Sequence, residues 1–186
     1  MRLAELVDVS RSVAETSGRL AKIDRLASLL NRLEPDEIEI AIAFLSGSPR
    51  QGRIGVGGAV VAAAHDVEPS SSPALSLEDV DAAFERLASA SGPGSASVRG
   101  QLLRDLFGRA TRDEQEFLVR LIFGELRQGA LEGVLLEAVA RASGIAPGRV
   151  RRAAMLAGAL APVARAALPA GNASDDALSR FMIQLF

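Results

Sequence analysis

Cysteine is absent from the 186 residues, so disulfides and thiolate metal sites are excluded, and a reducing cytoplasm is the expected compartment. Tryptophan and tyrosine are also absent, and β-branched residues rarely alternate with polar ones, so strand signals are nearly missing. No stretch approaches the roughly 18 uninterrupted apolar residues of a membrane span. The opening "MRLAELVDVS" lacks the apolar segment of a signal peptide. His65 is the sole histidine, so a histidine metal site or a Ser–His–Asp triad would have to use it. Its place beside Asp66 in a Ser/Pro-rich stretch predicts an exposed loop residue instead. Lysine is nearly absent: of 21 basic residues only Lys22 is lysine, and the net charge is −2.

What remains is apolar and helical in period, with 48% hydrophobic residues available for a core. In "RLAKIDRLASLLNRL" Leu20, Ile23, Leu26, Ala27, Leu30 and Leu33 form one stripe. Pro35 followed by Asp36 and Glu37 opens "PDEIEIAIAFL". Ser76 is the predicted N-cap of "LEDVDAAFERLASA", with Leu77, Val80, Ala83, Phe84 and Leu87 on one face. "VRGQLLRDLFGRA" and "RDEQEFLVRLIF" are separated near Thr111, a cap for the second. "LEGVLLEAVARASG" should stop at Gly144. "APGRVRRAAMLAGALAPVARAAL" should break at Gly158 or Pro162, and Ser174 should cap "ASDDALSRFMIQLF". The fold class read from this pattern is all-α. Residues 65–76, "HDVEPSSSPALS", read as a surface linker between two halves.

Those halves repeat. "GSPRQG" in residues 47–52 matches "GELRQG" in 124–129 at a constant offset, 124 − 47 = 77. Leu26, Leu29, Arg32, Asp36, Glu37 and Glu39 recur as Leu103, Leu106, Arg109, Asp113, Glu114 and Glu116 at the same offset. A helical pair ending in G-x-x-R-Q-G therefore occurs twice.

Glycine allows positive φ and close backbone approach. A helix starting just after the second glycine would present free N–H groups and its positive dipole end to an anion. An adjacent arginine adds a planar charged fork. Two such corners could grip the two phosphate tracts beside a groove of duplex DNA. A plainer explanation is two helix C-caps with an exposed arginine, although a cap needs one glycine and no arginine. Arg141, Arg149, Arg151, Arg152 and Arg165 add a further basic stretch, since no acidic residue lies between Glu137 and Asp175. This suits a polyanion track, or alternatively a solvated face. No aromatic is interleaved with it, which disfavours stacking on single-stranded bases.

These residues resemble a known family. "EQEFLVRLIFGELRQGALEGVLLEAVARASG" resembles the signature of the N-terminal DNA-binding domain of ATP-dependent DNA ligases, most closely the bacterial, actinobacterial type. "SGPGSASVRGQLLRDLFGRAT" and "TSGRLAKIDRLASLL" are similar to other parts of that domain, so the resemblance spans the whole chain. It implies a compact all-α bundle with two pseudo-symmetric halves. Residues 1–64 would form the first repeat, 65–76 the linker, 77–145 the second repeat and 146–186 the C-terminal helices. It also implies sequence-independent binding of nicked double-stranded DNA through minor-groove phosphates, by a monomer with no membrane partner. The DNA-facing residues carried over are Arg127, Gly129 and Ala130, with Arg50 and Gly52 from the first copy. Lys22, Arg99, Arg149, Arg151 and Arg152 are further candidates. Pro49 stands where the second copy has Leu126, a departure at the first corner.

Ligase chemistry in that family needs a lysine in K-x-D-G, with ATP and Mg. Here the only lysine lies in "KIDR", where Arg25 replaces the glycine, inside an amphipathic helix. No catalytic or metal-ligating set can be assembled, and no cofactor is expected in this chain. The adenylation and OB-fold domains of the same polypeptide would be the partner core, and alone the chain should be inactive. A helical protein–protein adaptor without DNA affinity is the alternative.

Overall fold

The amphipathic segments become helices because their apolar positions fall on single stripes and their ends carry specific start and stop residues. The computed structural model describes residues 1–126 and 129–168. The helices are α1 (Leu3–Glu15), α2 (Arg19–Leu30), α3 (Ile38–Leu45, entered through a 3-10 turn at Pro35–Glu37), α4 (Gly58–His65) and α5 (Leu77–Ser89). They continue as α6 (Ser95–Arg109), α7 (Arg112–Phe123), α8 (Gly129–Ser143), α9 (Pro147–Ala157) and α10 (Leu160–Ala167). Among the described residues there is no strand, only one isolated antiparallel bridge between Arg2 and Ser76.

The predicted punctuation is present. Ser76 Oγ accepts from the Asp79 N–H at 3.0 Å, and Thr111 and Glu114 form the same reciprocal box at the head of α7. Gly144 and Gly158 end α8 and α9 with φ of +71°, so the C-terminal break falls at Gly158, while Pro162 sits in the first turn of α10. The expected cap at Ser174 and the acidic pair Asp175–Asp176 lie outside the described residues. Two helices were not anticipated, α1 and α4. His65 is the last residue of α4 rather than a loop residue, and it packs edge-on against Phe107 with centroids 6.1 Å apart.

The helices recur in order. Shifted by 77, α2 becomes residues 96–107 against α6 at 95–109, and the 35–45 segment becomes 112–122 against α7. The first helices, α1 and α5, align at 77 − 3 = 74, with Leu3, Leu6, Val7 and Val13 buried opposite Leu77, Val80, Asp81 and Leu87. The packing is reciprocal. α2 lies on α8 and its counterpart α6 lies on α4; α1 touches α7 and α5 touches α3. Each half is therefore completed by the other, unlike stacked repeats, in which a unit contacts only its neighbours.

Polar contacts follow the same exchange. Arg32 pairs with Glu5 in the first half and Arg109 with Asp79 at 3.3 Å in the second. At the crossing, the Leu3 N–H donates to Leu75 O at 2.9 Å and the Leu77 N–H to Met1 O at 3.2 Å. The end of the 65–76 stretch is thus tied to the N-terminus, and Leu75 is fully buried. Gln115 Nε2 adds bonds to Phe107 O (2.9 Å) and Val67 O (3.3 Å). One apolar core runs through both halves. Phe44 of α3 meets Phe84 of α5 edge-to-face at 5.9 Å, a contact worth about 0.5–1.5 kcal/mol beyond burial. Arg19–Glu137 (2.8 Å) and Arg141–Asp24 lace α2 to α8 on the surface.

Candidate nucleic-acid interface

Both corners begin with the same helix stop. The Gly47 N–H donates to Phe44 O (3.0 Å) and the Ser48 N–H to Ala43 O (3.1 Å). At the equivalent positions the Gly124 N–H donates to Leu121 O (3.2 Å) and the Glu125 N–H to Arg120 O (2.9 Å). Gly47 and Gly124 take φ of +84° and +71°, the left-handed turn that releases each chain from its helix. The first glycine of each motif therefore ends its helix: Gly124 is the C-cap of α7, and Gly47 follows Ser46, the C-cap of α3.

Beyond that point the copies part. In the second, α8 opens at Gly129 itself, so Gly129 and Ala130 occupy a helix start, as expected; Arg127 and Gln128 lie outside the described residues. In the first, no helix follows Gly52. Residues 53–57 intervene and α4 opens only at Gly58. Ile54 explains this local path. It is buried, and Gly52 and Gly55 (φ +68° and +70°) fold the chain around it, so the segment cannot continue as helix.

The first-copy arginine is also engaged. Arg50 Nε donates to Asp81 Oδ1 at 3.0 Å, Arg50 Nη2 donates to Asp81 Oδ2, and Glu39 Oε2 lies 3.6 Å from Nη1. Gln51 Nε2 donates to the same Asp81 Oδ1 at 3.1 Å. Asp81 is 7% exposed. Burial pushes its carboxyl pKa up, but hydrogen bonds from Arg50 and Gln51 and the Arg50 charge outweigh burial and hold it below the usual range. Arg99 is likewise turned inward, donating from Nε to Leu87 O (3.1 Å) and from Nη2 to Ala90 O at the end of α5. Of the residues expected to face DNA, Arg50 joins the first corner to Asp81 of α5, and Arg99 joins α6 to the end of α5.

Around the second corner the described cations are mixed, and Arg11 pairs with Asp8 (3.0 Å) and Asp113 (2.7 Å). The side chain of Lys22, the counterpart of Arg99 at the 77-residue offset, makes no hydrogen bond or ion pair among the described residues. Val7 stands where α5 has Asp81. Lys22, Arg11, Arg120 and the acidic Glu15 line a concavity of about 250 Å³ together with Leu126 of the G-x-x-R-Q-G turn and Leu131 of the helix after it. Phe44 and Leu45, the last residues before the first corner, line the same concavity. The end of α3, which leads into the first corner, thus borders the depression beside the second.

In the C-terminal basic stretch the five arginines divide. Arg141 is paired with Asp24, and Arg165 with Asp36 at 3.0 Å. Arg151 and Arg152 are exposed on α9, while Arg149 is half-buried near its start. "KIDR" is a continuous part of α2, with Asp24 bound to Arg141 and Arg25 Nη1 donating to Ser12 Oγ. These residues do not fit a nucleotide or Mg site, and no cluster of metal-ligating side chains occurs among the described residues. No described helix is long and apolar enough to cross a membrane. Arg53, directly after Gly52 and not singled out by its sequence, is exposed.

Residues 58–140 match the family described as "DNA ligase N terminus". The chain is 55% identical over its full length to a "Probable DNA ligase" of Anaeromyxobacter sp. (strain Fw109-5), covering 35% of that protein. It is 49% identical over 96% of its length to a "Probable DNA ligase" of Pseudarthrobacter chlorophenolicus, covering 35% of it. It is 47% identical over its full length to that of Sorangium cellulosum, covering 34%. The chain thus spans about a third of the length of the curated relatives it matches. The chain is therefore similar over residues 58–140 to the DNA ligase N-terminus family, and over nearly its whole length to about a third of the length of proteins described as probable DNA ligases.

Proposed function

We propose that the chain is the DNA-binding module of an ATP-dependent DNA ligase. It holds nicked duplex DNA by its phosphates across the minor groove and reads no base sequence. The observation that carries this is the depression beside the second corner, lined by Lys22, Arg11 and Arg120 and bordered by the end of α3. Basic side chains and backbone N–H groups at a helix start are the groups that bind phosphate without discriminating bases. In this reading Arg127 and the amides of Gly129 and Ala130 hold one strand. Gly52 presents backbone to the other, and Arg151 and Arg152 extend the contact along α9, with Arg149 near its start.

Nucleotide transfer then belongs to the adenylation and OB-fold domains of the same polypeptide, using ATP and Mg. The contribution of this chain is positioning. It adds affinity for a rigid duplex, so that the catalytic core closes around an already located nick.

The test is fluorescence anisotropy of labelled nicked duplexes with the 186-residue chain. Wild type should bind unrelated sequences alike, with affinity falling steeply as salt rises. Arg127→Ala should weaken every duplex by the same factor. A protein adaptor would bind none of them, and that result would overturn the proposal.

A further inference from the structure

Arg50 and Arg127 occupy equivalent places in the duplicated motif, yet the first corner has been rewired. Arg50 faces carboxylates: Asp81 in a two-point clasp, Glu39 at 3.6 Å, and the charge of Glu85 nearby. For Arg50 to take a phosphate, Asp81 would have to release it and remain almost buried with only Gln51 as a side-chain donor. A buried carboxylate that loses its cation is strongly penalised. The surrounding carboxylates would also repel the incoming phosphate.

Three residues further on the environment reverses. Arg53 is exposed, and among the described residues it makes no hydrogen bond or ion pair. Its backbone is fixed on both sides. Gly52 precedes it at φ +68°, and Ile54, 4% exposed, anchors the next position in the core. Gly55 then lies against the Arg99 guanidinium so closely that a Cβ there would come within 3.1 Å of Arg99 Cζ. Arg99 is itself pinned to the α5 carbonyls. The loop is therefore propped from beneath by one arginine while it carries another on its surface. A cation displayed from a held backbone loses less freedom on binding than one on a mobile loop.

We infer that at the first corner the phosphate-contacting cation is Arg53. Arg50 and Arg99 are positioning residues that hold the loop carrying it. This rests on the proposed DNA-binding reading and refines it: the duplicated corners grip the two strands unequally, the second through Arg127 and Lys22, the first through Arg53. The ligand is the phosphodiester backbone of a duplex.

The experiment compares Arg53→Ala, Arg53→Lys, Arg50→Ala and Arg127→Ala of the 186-residue chain, by anisotropy on a nicked duplex over a salt series and by thermal melting. Losing one phosphate contact lowers the slope of log affinity against log salt by about 0.9, which corresponds to roughly eightfold weaker binding at about 0.1 M salt. Arg53→Ala should show that loss at unchanged melting temperature, and Arg53→Lys should recover most of the slope. Arg50→Ala should melt earlier and bind more weakly, because the loop carrying Arg53 loosens, yet keep the wild-type salt slope below its transition. If Arg53→Ala binds like wild type while Arg127→Ala is weakened, the assignment of Arg53 is wrong and the DNA-binding reading stands. If Arg50→Ala loses the slope at unchanged melting temperature, the roles are reversed and the inference fails. If wild type binds no duplex even at low salt, the reading itself fails, and the inference with it.

Discussion

Replacing Arg50 with alanine is the perturbation whose size the structure bounds best. It removes two charge-assisted hydrogen bonds to Asp81 and a longer approach to Glu39. Hydrogen bonds to charged groups contribute about 1.5–3 kcal/mol each, and stripping one partner from a buried pair costs about 3–5 kcal/mol. Two features reduce that range here. The Arg50 side chain is 40% exposed, so solvent screens the pair, and Gln51 still donates to Asp81 at 3.1 Å. A loss of about 2 kcal/mol is the reasonable expectation. For a domain of this size each kcal/mol moves the midpoint by about 2–4 °C, so Arg50→Ala should melt about 4–8 °C lower. Thermal unfolding followed by far-UV circular dichroism measures it. A double-mutant cycle with Asp81→Ala isolates the pair: the two single losses should exceed the loss in the double variant. A midpoint within about one degree of wild type, or strictly additive losses, would show that the clasp contributes nothing and that Arg50 is free for other work.

Two further outcomes follow from the same corner. Gly55→Ala forces a side chain into the left-handed region and against Arg99, at a cost of about 1–2 kcal/mol. It should lower the melting temperature by a few degrees and weaken duplex binding more than Arg50→Ala does, because it displaces the loop under Arg53; unchanged binding would contradict the prop. Asp81 has its pKa lowered on folding, so its contribution is present above the unfolded aspartate value of about 3.9 and is lost as pH falls through the lower folded value. The melting difference between wild type and Asp81→Asn should therefore persist from neutral pH to about pH 4 and shrink only in stronger acid; a difference that fades near neutral pH would contradict the assignment.

Much of the helical order was legible because period, caps and breaks agreed in α2, α3 and α5 through α10. α4 escaped because "GAVVAAAH" is small and apolar on every side and offers no stripe. α1 does carry a stripe, but its buried Leu3, Leu6, Val7 and Val13 span a stretch that was read only for a leader segment. The reciprocal packing could not be read from either copy, since it depends on which half each helix covers. The duplicated motif was visible in full, yet its chemistry diverged through residues distant in sequence. Asp81 lies 31 positions from Arg50 and captures it, and the equivalent position in α1 is Val7. The letters shared by the two corners therefore do not show that Asp81 holds Arg50, and nothing within "SPRQGRIG" marks Arg53 as the arginine without a carboxylate partner among the described residues.

The most direct test of the central claim is the salt dependence of nicked-duplex binding by wild type and Arg127→Ala side by side. The account predicts a steep linear fall of log affinity with log salt for wild type, and a slope shallower by about one unit for the variant on every sequence tried. Salt-insensitive binding, or identical slopes for the two proteins, would contradict it.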